Sequence, residues 1–313
     1  MFKGVTYALS ACFIWGLIFV VPQFMVGFTA IEVVLGRYFL YGLIASTLFL
    51  SERLKGRCRY SKSIWKKALL FSLVSTVGYY TFLVVALRCA PPSICALILG
   101  ISPITIALYG NWKQKEISFK SLLLPFFLIL VGLVIINIPH IQMDVAASSY
   151  GIGLLCCLLS LGAWSWYVVA NAQFLKDNPT VYPGDWSTLI GVSTVFWVFL
   201  VFFGCFFTGQ LQVEKYITCN AELGGFLVGS AILGFLCSWL GAFLWNRASL
   251  HLPVSLAGQL TVFETLFGVV FVYILSRSMP SSLESIGMVI LCASVLVGIQ
   301  RFSKKEIFPS SSS

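Results

Sequence analysis

Ten apolar runs, each long enough or nearly long enough to cross a bilayer, constrain this chain more than any other feature. They lie at about 4–21, 31–50, 68–87, 93–112, 122–138, 151–174, 186–208, 223–246, 254–275 and 283–300. About 20 apolar residues at a 1.5 Å rise per residue span the hydrocarbon core. In lipid the backbone has no water to bond, so only helices and closed barrels cross. These runs are too apolar and too long for barrel strands. The expected fold class is therefore an all-α membrane protein. Composition agrees: 59 % of residues are hydrophobic and 10 % charged, with a mean hydropathy of +0.95, against about 45–50 % and 25 % in soluble proteins.

The basic residues orient the bundle. With the N-terminus inside, sixteen Lys and Arg fall on the inner side (Lys3, seven residues from Arg53 to Lys67, Lys113, Lys115, Lys120, Lys176, Arg247, Arg301, Lys304 and Lys305). Only Arg88, Lys215 and Arg277 fall outside. That bias puts both termini in the cytoplasm. It also accounts for the net charge of +9 through topology and contact with anionic membrane lipid, with no nucleic-acid partner. The first run starts directly after Lys3 with no small-residue cleavage site behind it, so it is a first helix and no signal peptide. Ten cysteines lie mostly inside apolar runs and serve as small buried hydrophobes without a disulfide framework. After Arg301 the chain ends in PSSSS, a composition that predicts a disordered cytoplasmic tail over 302–313.

Glu264 is the single charge in the ninth run and sits at its middle. A carboxylate at that depth costs roughly 2.5–3.5 kcal/mol on insertion scales. Thr261, Thr265 and Gly268 share its helical face, with Gln259 on the flank. Two roles fit: a protonated acid bonded between helices, or a group that binds substrate or a proton. Arg37 lies in the second run, about 9 Å from its outer end by helical rise, with Glu32, Tyr38 and Tyr41 near it. Pairing with Glu32 or a helix C-terminus and contact with substrate both fit.

The halves resemble each other. Trp15–Val21 aligns with Trp164–Ala170, Pro92–Ala96 with Pro253–Ala257, and the latter offset sets Pro103 opposite Glu264. Five runs per half is an odd number, so equivalent helices run in opposite directions. The expected architecture is two inverted-topology five-helix repeats, 1–140 and 151–301, with solute bound near the midplane between them.

Trp15-Gly16, Gly36-Arg37-Tyr38-Phe39-Leu40, the stretch from Tyr79 to Ala86, the stretch from Ala96 to Pro103, and the repeat itself carry a family resemblance. On them the chain resembles the EamA-type ten-helix bacterial transporters of the drug/metabolite transporter superfamily. The resemblance covers almost the whole chain and implies a central cavity lined by helices one to four and six to nine. It implies that helices five and ten are peripheral. Two departures stand out. Glu116 meets the family's acid after the fourth helix, but Ser276-Arg277 replaces the one after the ninth. Glu264 stands where proline is common.

The function expected is a secondary active transporter of small organic metabolites, such as amino acids or amines, in the cell inner membrane. Family analogy favours export. Glu264 is the candidate for binding a proton or a cationic substrate, with protons or a counter-solute as coupling partners. Trp15, Tyr80, Trp164 and Tyr167 are candidate aromatic walls, Arg37, Asn171, Gln259 and Thr261 candidate polar contacts. No Walker loop, nucleophile elbow or paired metal-ligand motif is present, so no cofactor, metal or enzymatic activity is expected. A membrane-embedded lipid-modifying enzyme is the rival class. A monomer and a homodimer are both compatible with the sequence.

Overall fold

A computed structural model describes residues 1–55, 60–138, 147–211, 213–217 and 221–307. Among them are ten helices long and apolar enough to cross a membrane: Phe2–Phe24, Ala30–Leu54, Lys62–Cys89, Ile94–Gln114, Phe119–Asn137, Tyr150–Asp177, Pro183–Phe207, Ala221–His251, Val254–Ser276 and Ser282–Phe302. They are numbered first to tenth below. The described residues contain no strand. The ends differ from the apolar runs for local reasons. The second helix starts at Ala30 because Thr29 and Glu32 form a capping box, each side chain accepting from the other's backbone N–H. The third starts at Lys62, so that Lys62, Lys66 and Lys67 sit on its opening turns and not in a loop. The tenth continues as helix to Ile307, so residues 302–307 are helical where a disordered tail was expected. Residues 308–313 lie outside the described set, as do 139–146 of the long outer connection.

Several helices are interrupted, and the interruptions come in pairs. Wide π-helical turns occur at Leu73–Gly78 in the third and Leu233–Leu240 in the eighth. The fourth breaks at Ile101, between Pro92–Gly100 and Ser102–Gln114. The ninth breaks at Thr261, between Val254–Leu260 and Val262–Ser276. Both broken helices follow a proline cap, Pro91 or Pro253, and both end on a left-handed residue, Lys115 (φ 48°) or Arg277 (φ 51°). Those two matches share one offset, and it sets Ser102 opposite Glu264, one residue from the sequence alignment.

Neighbours pair in the same way. The second helix packs on the seventh, the fourth on the ninth and the fifth on the tenth. First on eighth is mirrored by sixth on third, first on ninth by sixth on fourth, and second on eighth by seventh on third. Small residues permit the closest approaches. A Cβ on Gly287 would stand 2.9 Å from the Gly132 carbonyl oxygen, and one on Gly132 3.1 Å from that of Gly287, so the fifth and tenth backbones touch.

Candidate functional site

A cavity of about 660 Å³ lies between the halves. Of the residues singled out from sequence, Trp15, Arg37, Tyr80, Trp164, Tyr167, Thr261 and Glu264 line it. Glu264 sits in the first turn of the helical segment that restarts after the Thr261 break. The backbone N–H end of that segment carries partial positive charge, which lowers the cost of a carboxylate there. Among the described residues the Glu264 carboxylate has no ion-pair partner within 4 Å.

Arg37 reaches the same cavity by a different anchor. Its Nε donates to Ser238 Oγ at 2.9 Å and its guanidinium lies 5.2 Å from the Tyr38 ring centroid. It does not pair with Glu32, whose carboxylate instead accepts from the Thr29 N–H and hydroxyl in the capping box. Ser238 belongs to the wide turn of the eighth helix and donates to Leu233 O at 3.0 Å. The preceding carbonyl, of Cys237, accepts from Trp15 Nε1 at 2.8 Å, while Cys237 Sγ donates to Ile14 O. A π-type turn thus serves both the cation and the first aromatic wall, as such insertions do at functional sites.

The aromatic walls are a connected group. Trp164 touches Trp15, Tyr79 and Tyr167, with ring centroids 6.3, 5.5 and 5.6 Å apart, and Trp15 touches Trp245 at 5.4 Å. Tyr80 lines the cavity beside them and donates to Ala30 O at 3.3 Å. Thr261 Oγ1 donates to Gly258 O at 2.6 Å, a carbonyl that also accepts the Thr261 N–H at 3.2 Å at the helix break. Sequence reasoning missed Tyr79, Trp245, Ser238, Tyr38 and Tyr41, all of them in the lining. A tyrosine pair at 79–80 and the tryptophan that closes the eighth helix ahead of Arg247 were the available signals.

Two expected residues lie elsewhere. Asn171 is fully buried in a hydrogen-bonded chain: its Nδ2 donates to Asn246 Oδ1 at 2.8 Å and its Oδ1 accepts from Trp186 Nε1 at 2.7 Å. Gln259 is also fully buried. Its amide meets the tenth helix at Gly298, where a Cβ would run into Gln259 Oε1, and among the described residues neither amide atom has a hydrogen-bond partner. The fifth helix, expected at the periphery, contributes Leu133, Ile136 and Asn137 to the cavity, and the tenth contributes Glu284. Among the described residues no three His, Cys, Asp or Glu side chains gather where they could hold a metal.

The cavity is asymmetric across the membrane. Leu87, Asn137, Tyr273 and Glu284 mark its far end, and they terminate or start helices on the side opposite Met1 when the spans are followed in turn. On the Met1 side the second half of the fourth helix packs closely on the first half of the ninth.

Among the described residues, ten helices long and apolar enough to cross a membrane surround a charged, aromatic-walled cavity, the arrangement of a polytopic membrane protein. Residues 2–138 match the EamA-like transporter family. The chain is 29 % identical to the inner membrane protein YtfF of Escherichia coli over 99 % of both chains. It is 22 % identical to the uncharacterized transporter YyaM of Bacillus subtilis over 76 % of each. A crystal structure of a protein with 15 % identity superposes with a TM-score of 0.75, covering 97 % of this chain and 98 % of that one, a likeness of fold alone. The ten spans and these likenesses make the chain a multi-pass inner-membrane protein.

Proposed function

We propose that the chain is a secondary active transporter of small organic metabolites bearing an ammonium group, amines or amino acids, and that Glu264 is the group for which substrate and proton compete. The observation that carries this is an acid without an ion-pair partner, held at a helix break inside an aromatic-walled cavity. Intramembrane acids that face a cavity usually mark a solute or proton path, and aromatic faces bind organic cations. Arg37 adds a cation to the same lining, suited to a substrate carboxylate.

The paired breaks, paired wide turns and mirrored neighbours support two inverted five-helix repeats, 1–140 and 151–301, that rock about the cavity in alternating access. An even number of spans returns the chain to the side where it began, and the Lys and Arg bias favours cytoplasm there. Export is the direction that the family resemblance favours. Asn171 and Gln259 drop out of the proposed site, since one is satisfied by its neighbours and the other is enclosed in a helix interface.

The test is transport in proteoliposomes. A thermal-shift screen over amines and amino acids selects a ligand, and its flux is measured across imposed pH gradients. Glu264→Gln should insert and fold, yet lose pH-dependent flux. Wild-type pH dependence in that variant would end the coupling role.

A further inference from the structure

Glu116 lies just beyond the fourth helix, on the Met1 side of the bundle. Its carboxylate accepts from Val254 N at 2.6 Å, Ser255 N at 2.8 Å and Ser255 Oγ at 2.5 Å. These are the first residues of the ninth helix. A carboxylate at a helix N-terminus meets exposed N–H groups and a favourable dipole, and bonds to a charged acceptor are about twice as strong as neutral ones. Around this clasp the two helices are locked at van der Waals contact. A Cβ on Gly110 would lie 2.7 Å from Val254 Cγ1, and one on Gly258 2.7 Å from Ile106 Cγ2. Lys176, from the end of the sixth helix, reinforces the closure by donating to Gln114 Oε1 and Leu252 O.

The same offset that equates Pro91 with Pro253 and Lys115 with Arg277 equates Glu116 with Ser278, and Val254 with Pro92. Ser278 has no carboxylate, and its hydroxyl pairs with that of its neighbour Ser276 at 2.6 Å. Proline at 92 has no backbone N–H to offer. The opposite end of the bundle therefore lacks both halves of the clasp, the acceptor and one of the donors. That is also the end to which the cavity lining extends, at Leu87, Asn137, Tyr273 and Glu284.

We propose that Glu116 is the latch of the gate on the Met1 side, and that the missing counterpart at Ser278 biases the resting transporter to stand open on the other side. The inference rests on the two-repeat, alternating-access reading. Opening the Met1 side requires Val254–Leu260 to leave Ser102–Gln114, and the Glu116 bonds break when it does. No equivalent bonds hold Pro92–Gly100 when the far side closes. The two states are thus unequal in energy before any substrate binds.

Amide hydrogen exchange on the full-length protein in nanodiscs tests this without substrate or a gradient. Glu116→Gln should speed exchange across 102–114 and 254–260 about tenfold, the change expected from losing one charge-assisted bond. It should also slow exchange at 92–100, because closing the far side accompanies opening the near side. Faster exchange confined to 254–260 would show a local helix cap only and overturn the latch. The converse variant, Ser278→Glu with Pro92→Val, rebuilds the clasp on the far side and should slow exchange at 92–100 by itself. Unchanged exchange there would overturn the bias, even if Glu116→Gln failed to fold. A failure of Glu264→Gln to alter flux would leave these exchange results untouched, so the two readings fail separately.

Discussion

Replacing Asn171 by Ala distinguishes a structural asparagine from a ligand-binding one. In the native chain Asn171 bridges Asn246 Oδ1 on the eighth helix and Trp186 Nε1 on the seventh, and Asn246 passes the chain on to Ser187 Oγ at 2.9 Å. All four residues are essentially enclosed, so no water replaces the lost amide. Interhelical hydrogen bonds in bilayers are worth only about 0.6 kcal/mol on average. Leaving a buried donor or acceptor unpaired adds about 1–3 kcal/mol per group. Two bonds lost and one group left orphaned, Trp186 Nε1, with Asn246 rotating to re-pair its own amide, give roughly 2–4 kcal/mol. At about 2 °C per kcal/mol for a chain of this size, the apparent Tm in detergent falls by roughly 4–8 °C. Flux assays at a temperature where the variant is folded should give a KM within about twofold of native, since Asn171 is outside the cavity lining. A variant of native stability with a strongly raised KM would refute this reasoning and return Asn171 to the binding site.

Other substitutions probe the packing around the site. Gln259→Met removes an amide with two unpartnered atoms and should raise the apparent Tm, by about 1–3 kcal/mol of stability, without loss of flux; a fall in both would show that the amide has a partner in another state of the carrier. Gly298→Ala drives a methyl into Gln259 Oε1 and should cost roughly 1–3 kcal/mol, read as a lower Tm that Gln259→Ala in the same chain restores. Trp15→Phe keeps a ring but leaves the Cys237 carbonyl without its donor, so both Tm and affinity for an ammonium substrate should drop.

The apolar runs were legible because bilayer thickness alone sets their length, and all ten appear as helices near the expected limits. Glu264 was legible for the same reason, as a charge that lipid would not tolerate unused. Helical periodicity then misled at the interruptions. Gln259 shares a stripe with Glu264 only if the ninth helix is unbroken. The break at Thr261 reorients the first segment, so Gln259 meets Gly298 of the tenth helix. Likewise the wide turn at Leu73–Gly78 precedes Tyr79, and an inserted residue rotates the following face by about 100°. Tyr79 joins Trp164 on the cavity wall, alongside the Tyr80 expected from sequence. The roles of Asn171 and Ser238 depend on partners 15 to 201 positions away, which no local pattern encodes.

Ser238 gives a way to ask why two opposite charges share a cavity without joining. Arg37 and Glu264 both line it, and a guanidinium free to move would be drawn to an acid there, where charges attract more strongly than in bulk water. The wide turn of the eighth helix prevents that: Ser238 Oγ accepts from Arg37 Nε while donating to Leu233 O. Ser238→Ala removes the acceptor and leaves the turn and the charge in place. The released arginine then competes with substrate for Glu264 as an internal cation. An advantage of about 1.4 kcal/mol for that pair would weaken apparent substrate affinity about tenfold. Ser238→Thr keeps the hydroxyl and should restore most of it, while Ser238→Ala combined with Arg37→Gln should escape the inhibition for an amine without a carboxylate, because no cation is left to intrude and no substrate carboxylate needs the arginine. Proteoliposome flux against substrate concentration reads all three. If Ser238→Ala transports with native affinity, the serine does not hold the arginine away, and the open state of Glu264 must be maintained by the helix break alone.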